Sequence, residues 1–220
     1  MGKQMSLLTD TEILYAMDKK LISISNLNPK NIQSGSIYLT LDDEILVSDP
    51  ETIDCTSICM ESLESTVKYL EEISDRMSIS NGYTLAPGRY AIGYSKEIIH
   101  LTSSYSGQLY NISNLALMGL NCAINSFINP GYKGHAIIVI HNLGCHNIVL
   151  KSGIRICQLA IHCLEKSTLH VFDKQHDRES VLEFIRQLSK EKNSSNSDLE
   201  NNPISMYLEK KIQEVASKGR

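Results

Sequence analysis

Several residue patterns that define large protein classes are missing from this 220-residue chain. No two of its six cysteines have the CxxC spacing of a zinc ribbon or a redox motif. No apolar run approaches the roughly 20 residues of a membrane-spanning helix, and no secretory signal is evident. The net charge of -4 does not favour nucleic acid or an anionic membrane as a partner. These absences predict a cytoplasmic protein without a metal site, whose cysteines are buried free thiols.

Acidic residues are missing from the centre of the chain. No Asp or Glu occurs between Thr102 and Cys163, although the chain has 25 of them in total. A P-loop, a nucleophile elbow and a dinucleotide-binding fingerprint are missing as well. A hydrolytic site built on this stretch would therefore have no carboxylate to move protons.

Short apolar runs separated by turn residues fill the same stretch. The runs 136–140, 147–150 and 156–161 are rich in Ile and Val, and they alternate with Gly-bearing turns, of which Asn129-Pro130-Gly131 is the first. Runs of this length, bounded by turns, are typical of antiparallel strands rather than helices. The chain is therefore predicted to be mainly β.

Helical patterns flank and interrupt this β-region. Thr9 and Glu12 have the spacing of a capping box, which predicts an N-terminal helix. Apolar residues recur at helical spacing in an insertion at about 57–76 and again beyond residue 173, on both sides of a flexible Asn- and Ser-rich linker at about 192–202. We predict a β-domain over 1–172 and a helical extension over 173–220.

Four motifs in a fixed order resemble one family. They are Ser-x-Leu-Ala-x-x-Gly-Leu at 113–120, Phe-Ile-Asn-Pro-Gly-Tyr-x-Gly at 127–134, Asn-x-Gly at 142–144 and Gly-Ile-Arg-Ile-Cys-Gln-Leu at 153–159. This order resembles the dCTP deaminase/dUTPase superfamily, and the N-terminal helix favours its deaminase branch. The resemblance implies a dUTPase-like β-barrel (a β-clip or distorted jelly roll), assembled as a homotrimer that binds deoxynucleoside triphosphates at its subunit junctions.

The residues that carry the chemistry of this family are replaced. The resemblance places the proton-carrying Glu at Val139 and the two arginines of the triphosphate motif at Ile112 and Leu117. Tyr38 stands where the first motif normally has Asp, and Asn129 stands where the dUTPase branch has Asp. The resemblance and these replacements together predict a degenerate homologue, a pseudoenzyme.

A polar set nevertheless remains for a ligand. The resemblance implies that Asn129 accepts a hydrogen bond from a sugar hydroxyl and that Tyr132 stacks on the sugar. No cofactor is expected, apart from Mg²⁺ if a triphosphate is bound. The nucleotide-binding residues implied in this way are Ser113, Asn114, Ile124, Asn125, Asn129, Tyr132 and Gln158.

Three hypotheses follow for function. The first is a nucleotide-binding, regulatory or scaffold protein that does not deaminate. The second is an active nucleotide hydrolase that forms dUTP or dUMP with relocated groups. His141, two residues from Val139, is its candidate acid–base residue. The third is a structural module whose added helices contact a protein partner and whose nucleotide pocket is vestigial.

Overall fold

A computed structural model describes residues 6–48, 74–122, 127–169 and 175–176 of the chain. Two α-helices and one short 3-10 helix lie in these ranges: α1 Asp10–Asp18, α2 Ser113–Leu117 and the 3-10 helix Pro29–Asn31. The strands are β1 Ser6–Leu7, β2 Ile22–Ser25, β3 Ile32–Gln33, β4 Ser36–Ser48, β5 Ser74–Ser78, β6 Tyr83–Leu85, β7 Tyr90–Leu101, β8 Tyr105–Asn111, β9 Leu120–Asn121, β10 Phe127–Ile128, β11 Lys133–Asn142, β12 Ile148–Leu150, β13 Arg155–Cys163 and β14 Gln175–His176. None of these helices is long and apolar enough to cross a bilayer.

Most strands belong to one curled sheet. Its central order is β10-β8-β13-β4-β7-β11-β14, and only the last pair is parallel. The long strand β4 joins the two halves of the sheet, because its first part pairs with β13 and its second part with β7. Strands β6 and β12 form a separate two-stranded sheet. The prediction of a mainly β chain is confirmed, with the large sheet curled into a half-barrel.

Alternation along the strands places the core inside the curl. Ile37, Leu39 and Leu41 of β4 are all 0% exposed, as their period of two predicts. Cys122 and Cys157 are also fully buried and have free thiols, as expected, whereas Cys145 is exposed, contrary to the prediction of buried thiols. Burial raises the pKa of the Cys122 thiol to about 12, so this group behaves as a small apolar side chain.

The N-terminal prediction is confirmed in detail. Thr9 precedes α1, its backbone N–H donates to Glu12 Oε2 at 2.8 Å, and its hydroxyl accepts from the Glu12 N–H at 3.5 Å. The bond from the Thr9 N–H, together with one that the Thr9 hydroxyl donates to the same oxygen at 2.9 Å, lowers the pKa of the Glu12 carboxyl. The helix buries Ile13 and Ala16 against the core. The capping box therefore determines where α1 begins. The apolar side of α1 packs the helix against the core of the sheet.

One helix boundary and one domain boundary differ from the prediction. The insertion was expected to stay helical to about residue 76, yet Ser74–Ser78 is strand β5, with Arg76 opposite Leu46. The β-domain was expected to end at residue 172, yet Gln175–His176 is strand β14 on the edge of β11. The rest of the insertion, the linker and the rest of the extension lie outside the described residues.

The two halves of the sheet meet at a bulged corner, formed where β7 is out of register with both β4 and β11. The Ser95 hydroxyl donates to the Glu97 carbonyl at 2.8 Å and accepts from the Ala136 N–H at 2.9 Å. His135 Nδ1 lies 2.7 Å from the Ser95 carbonyl oxygen. These side chains satisfy backbone groups that the bulges leave without ladder partners.

Candidate functional site

The position that the resemblance assigns to the catalytic Glu lies in the middle of β11. Val139 is paired with Ile92 of β7 and is half-buried. It shares one face of the strand with Ile137 and His141, because alternate residues point to the same side. This outer face also carries a small apolar cluster around Leu46 and Ile92. The neighbourhood of Val139 is therefore apolar where deamination would need a proton carrier.

Two buried carboxylates occur on strands outside the acid-free stretch. Asp42 on β4 and Glu97 on β7 are 5% and 1% exposed. Glu97 Oε2 accepts from the Thr40 N–H, and Glu97 Oε1 accepts from the Thr40 hydroxyl, both at 2.8 Å. Because both oxygens are occupied inside the bulged corner, Glu97 holds the fold and is not placed to serve a ligand.

His141 shares the outer face with Val139, as predicted. Its ring meets the ring of Tyr90 edge-on, with centroids 5.5 Å apart. Within the described ranges no carboxylate bonds to this imidazole, so nothing there orients it as an acid–base group. Its catalytic role stays a prediction.

The segment that corresponds to the triphosphate motif forms the short helix α2 and the residue before it. Ile112 occupies the N-cap without any side-chain cap, and Ser113 and Asn114 follow with exposed side chains. Leu117 is 86% exposed. An apolar side chain thus reaches into solvent at one of the two positions to which the resemblance assigns an arginine.

Close backbone packing fixes the far end of α2. The Leu143 N–H donates to the Gly119 carbonyl at 2.8 Å, and a Cβ on Gly119 would lie 2.5 Å from the Cα of Gly144. Gly119 also has a φ of +81°, which side chains other than that of glycine rarely adopt. The two glycines bring exposed Leu117 and Leu143 to the same rim of the molecule.

The third motif forms the predicted turn before β11. The Tyr132 N–H donates to the Asn129 carbonyl at 3.1 Å, and Asn129 is exposed. Tyr132, by contrast, is 8% exposed, belongs to the core, and donates its hydroxyl proton to the His135 carbonyl. Burial raises the pKa of this phenol. The expected stacking of Tyr132 on a sugar therefore does not fit its position.

Gln158, the last polar residue of the predicted set, is already hydrogen-bonded. It lies on β13, directly opposite Tyr38 on β4. Its Oε1 accepts from the Ser36 hydroxyl at 3.1 Å, and its Nε2 donates to the Asn111 carbonyl at 3.3 Å. A ligand that bonded Gln158 would have to share or exchange one of these contacts.

Tyr38 and Arg155 form a pair that the sequence did not reveal. The Arg155 guanidinium carbon lies 4.9 Å from the centroid of the Tyr38 ring. Arg155 Nε donates to Asn31 Oδ1 at 2.9 Å, and Nη2 donates to the Lys30 carbonyl at 3.4 Å. At Tyr38, the position to which the resemblance assigns an Asp, a cation is thus stacked on an aromatic face.

The predicted binding residues do not converge within one chain. Ser113 follows the C-terminal end of β8, whereas β10 brings Asn129 to the other end, since Ile128 lies opposite Gly107. Six residues of extended strand separate Gly107 from Ser113, which corresponds to roughly 20 Å. Ile124 and Asn125 lie outside the described residues. In the part of the chain that is described, no group of three His, Cys, Asp or Glu side chains could hold a metal.

Known proteins match this fold and these motifs. The family description "dCTP deaminase-like" fits residues 7–164. The chain belongs to the dCTP deaminase-like family. Residues 165–220, which include the whole of the predicted extension, lie outside the family match.

Individual relatives agree with this assignment. A dUMP-forming dCTP deaminase of Nanoarchaeum equitans is 30% identical over 164 residues, covering 70% of this chain and 83% of that protein. A dUMP-forming dCTP deaminase of Mycobacterium ulcerans is 27% identical, covering 64% of this chain and 80% of that protein. The crystal structure of 2'-deoxycytidine 5'-triphosphate deaminase from Agrobacterium tumefaciens superposes with a TM-score of 0.58 at 17% identity, over 73% of this chain and 49% of that chain. This last match supports the fold.

Proposed function

We propose that this protein is a catalytically degenerate member of the dCTP deaminase-like family, which binds a deoxynucleotide without deaminating it. The observation that carries the proposal is Val139, which stands in an apolar sheet face at the position of the proton carrier. Deamination requires a group that moves protons between water, the ring nitrogen and the leaving amine. A valine cannot do so, and the oxygens of Glu97 are occupied by Thr40.

The missing cations support the same proposal. With Ile112 and Leu117 in place of two arginines, a triphosphate loses charge-assisted hydrogen bonds worth about 1.5–3 kcal/mol each. The described residues also offer no cluster of acidic side chains for Mg²⁺, so the ion would enter only as part of a bound metal–triphosphate. Weak binding of triphosphates is therefore expected.

The separation of the motifs supports a homotrimer. Ser113, Asn114 and Gln158 lie at one end of the β8–β13 pair, and Asn129 lies roughly 20 Å away at the other end. One ligand can touch both groups only if a second copy supplies one of them. We therefore place the nucleotide at a junction between subunits, with Ile124 and Asn125 as further predicted contacts.

The sequence beyond the family match supports a regulatory or scaffolding role. The family match ends at residue 164, and a further 56 residues follow it in the chain of 220 (220 − 164). Their helical pattern in the sequence suggests a surface for a protein partner. The protein would then act in the cytoplasm, coupling a bound deoxynucleotide to that partner.

A turnover assay tests the proposal. The purified full-length chain is incubated with dCTP and Mg²⁺, and dUTP and dUMP are quantified by ion-exchange chromatography. The Nanoarchaeum equitans relative serves as the positive control. We expect no product from this chain under conditions in which the control converts its substrate. Turnover at a rate comparable to that of the control overturns the proposal.

Two further measurements refine the outcome. If product is formed, H141A separates the hypotheses: lost turnover supports the relocated hydrolase, and unchanged turnover removes His141 from it. If no product is formed, calorimetric titration with dCTP, dCMP and dUMP detects a bound deoxynucleotide. Light scattering after gel filtration tests the homotrimer. The absence of binding heat for every nucleotide contradicts the binding part of the proposal and favours the purely structural module.

A further inference from the structure

Arg155 is an exposed cation that is held in one orientation. Its Nε donates to Asn31 Oδ1 at 2.9 Å, and Asn31 is itself only 3% exposed. Its Nη2 donates to the Lys30 carbonyl, and its guanidinium lies over the Tyr38 ring. Two hydrogen bonds on one edge and an aromatic face below limit the rotamers of the side chain. Arg155 is therefore preorganised, which lowers the entropic cost of binding a ligand.

No acidic side chain neutralises Arg155 among the residues that the structure describes. The ion pairs found there join Asp18 to Lys19 and Glu44 to Arg76. Both hydrogen bonds of Arg155 go to neutral oxygens, and its Nη1 makes none within the described ranges. A guanidinium presents five N–H donors in a fork that matches phosphate oxygens. Its unused donors make it a candidate phosphate ligand.

The surroundings of Arg155 add positive charge. Lys30 is exposed, and its carbonyl already holds Arg155. Lys96 Nζ lies 3.8 Å from the position that a Cβ on Gly153 would take, two residues before Arg155. No described carboxylate is paired with either lysine. The region around the Gly153 turn is therefore a cationic rim on a protein whose net charge is negative.

The register links this rim to the nucleotide-binding residues. The last pairs between β13 and β8 are Gln158 with Tyr110 and Cys157 with Asn111. Arg155 lies two residues before Cys157, at the start of β13, and Ser113 lies two residues after Asn111, just past the end of β8. Arg155, Gln158 and Ser113 are thus placed at the same end of the sheet.

We propose that Arg155, stacked on Tyr38, binds a phosphate group of the ligand. The proposal rests on the proposed nucleotide-binding function and names a contact within it. The ligand class is a small molecule with a phosphate or pyrophosphate group. Arg155 supplies a fork-shaped cation at a site where Ile112 and Leu117 supply none. The ring of Tyr38 sets the plane of the guanidinium, and the exposed Lys30 adds charge beside it.

Titration with inorganic pyrophosphate at low ionic strength tests this contact directly. Binding to the full-length chain is measured by calorimetry, and R155Q is compared with K166Q. Lys166 is an exposed lysine beyond the other end of β13, so K166Q removes the same charge elsewhere. We expect R155Q to weaken pyrophosphate binding about tenfold or more and K166Q to change it less than about twofold. Equal effects of the two variants, or no binding by the unmodified chain, overturn the proposal.

Substitutions of Tyr38 provide a second, independent test. Y38F keeps the ring under the guanidinium and is expected to preserve binding. Y38D places a carboxylate beside Arg155 and is expected to weaken binding about as much as R155Q, because the guanidinium is then paired within the chain. Circular dichroism melting identifies any variant that fails to fold. If folded Y38D binds pyrophosphate as Y38F does, the proposal is wrong.

The outcomes separate this inference from the proposed function. Turnover of dCTP would overturn the degenerate-enzyme proposal and leave the pyrophosphate result unaffected. Pyrophosphate binding that is indifferent to R155Q and Y38D would overturn the Arg155 contact. Deoxynucleotide binding would remain possible through the sugar and base.

Discussion

The bulged corner and the outer face around Val139 belong to the same sheet, but the corner contains a carboxylate and the outer face has an apolar side chain at the compared position. At the corner, a carboxylate that is 1% exposed is retained, and Thr40 satisfies both of its oxygens. On the outer face, the position to which the resemblance assigns the catalytic Glu holds Val139 beside an apolar cluster. A buried charge is costly unless it is hydrogen-bonded, so the corner keeps one for structure. The comparison teaches that an acidic residue on a core strand of this fold need not be a catalytic one.

The largest effect is expected when the corner loses its carboxylate. E97A removes two charge-assisted hydrogen bonds and leaves the partly buried Thr40 N–H and hydroxyl without this acceptor, which costs about 4 kcal/mol in the free energy of unfolding. E97Q keeps the volume and one acceptor oxygen and should cost about half as much. Urea denaturation followed by circular dichroism measures both. Equal stability of E97A and the unmodified chain would show that the corner does not depend on Glu97, and the comparison would fail.

The next effect concerns the glycine that supports the rim near Leu117. In G119A the new Cβ would approach the Gly144 backbone to 2.5 Å at a φ of +81°. We expect a loss of about 2–3 kcal/mol, because backbone must shift to relieve the contact. G88A is the matched control, since Gly88 has a φ of +74° and no atom within 4 Å of the added Cβ. It should cost only about 1 kcal/mol. Identical losses in the two variants would show that the contact with Gly144 contributes nothing.

Restoring the family's carboxylate tests the other region. V139E puts a charge on a half-buried apolar face and should destabilise the protein by about 1–2 kcal/mol near neutral pH. V139Q has a similar shape without the charge. Partial burial raises the pKa of the introduced carboxyl above its unfolded value, so the extra cost of V139E over V139Q should fall as the pH is lowered from about 7 to about 4.

The activity of V139E tests whether a carboxylate at this position is sufficient for deamination without the cations of the triphosphate motif. We expect no dCTP turnover from V139E, because Ile112 and Leu117 still supply no cation to the triphosphate. The chromatographic assay for dUTP and dUMP measures this. Substantial product from V139E would show that one residue alone separates this chain from an active deaminase.

Local patterns predicted much of the fold, whereas contacts distant in the sequence determined the site. The cap at Thr9 and the turn at Asn129 depend on short-range spacing and were predicted correctly. Tyr132 is buried in the core, where its carbonyl accepts from the N–H of Leu101 on β7, and the stacking of Arg155 on Tyr38 joins strands far apart in the chain. No local period encodes such contacts, so these two side chains could be placed only by the fold.

The smallest effect on stability is expected at Leu117, although a substitution there is expected to change the affinity for pyrophosphate. The side chain is 86% exposed, so L117R should change the free energy of unfolding by less than about 0.5 kcal/mol. It returns a cation to the triphosphate motif, and we expect pyrophosphate to bind a few times more tightly, with a stronger dependence on salt. L117Q controls for the loss of an exposed apolar side chain. If L117R and L117Q bind pyrophosphate equally well, the rim around α2 does not face the phosphate, and Arg155 would then act at a site separate from this motif.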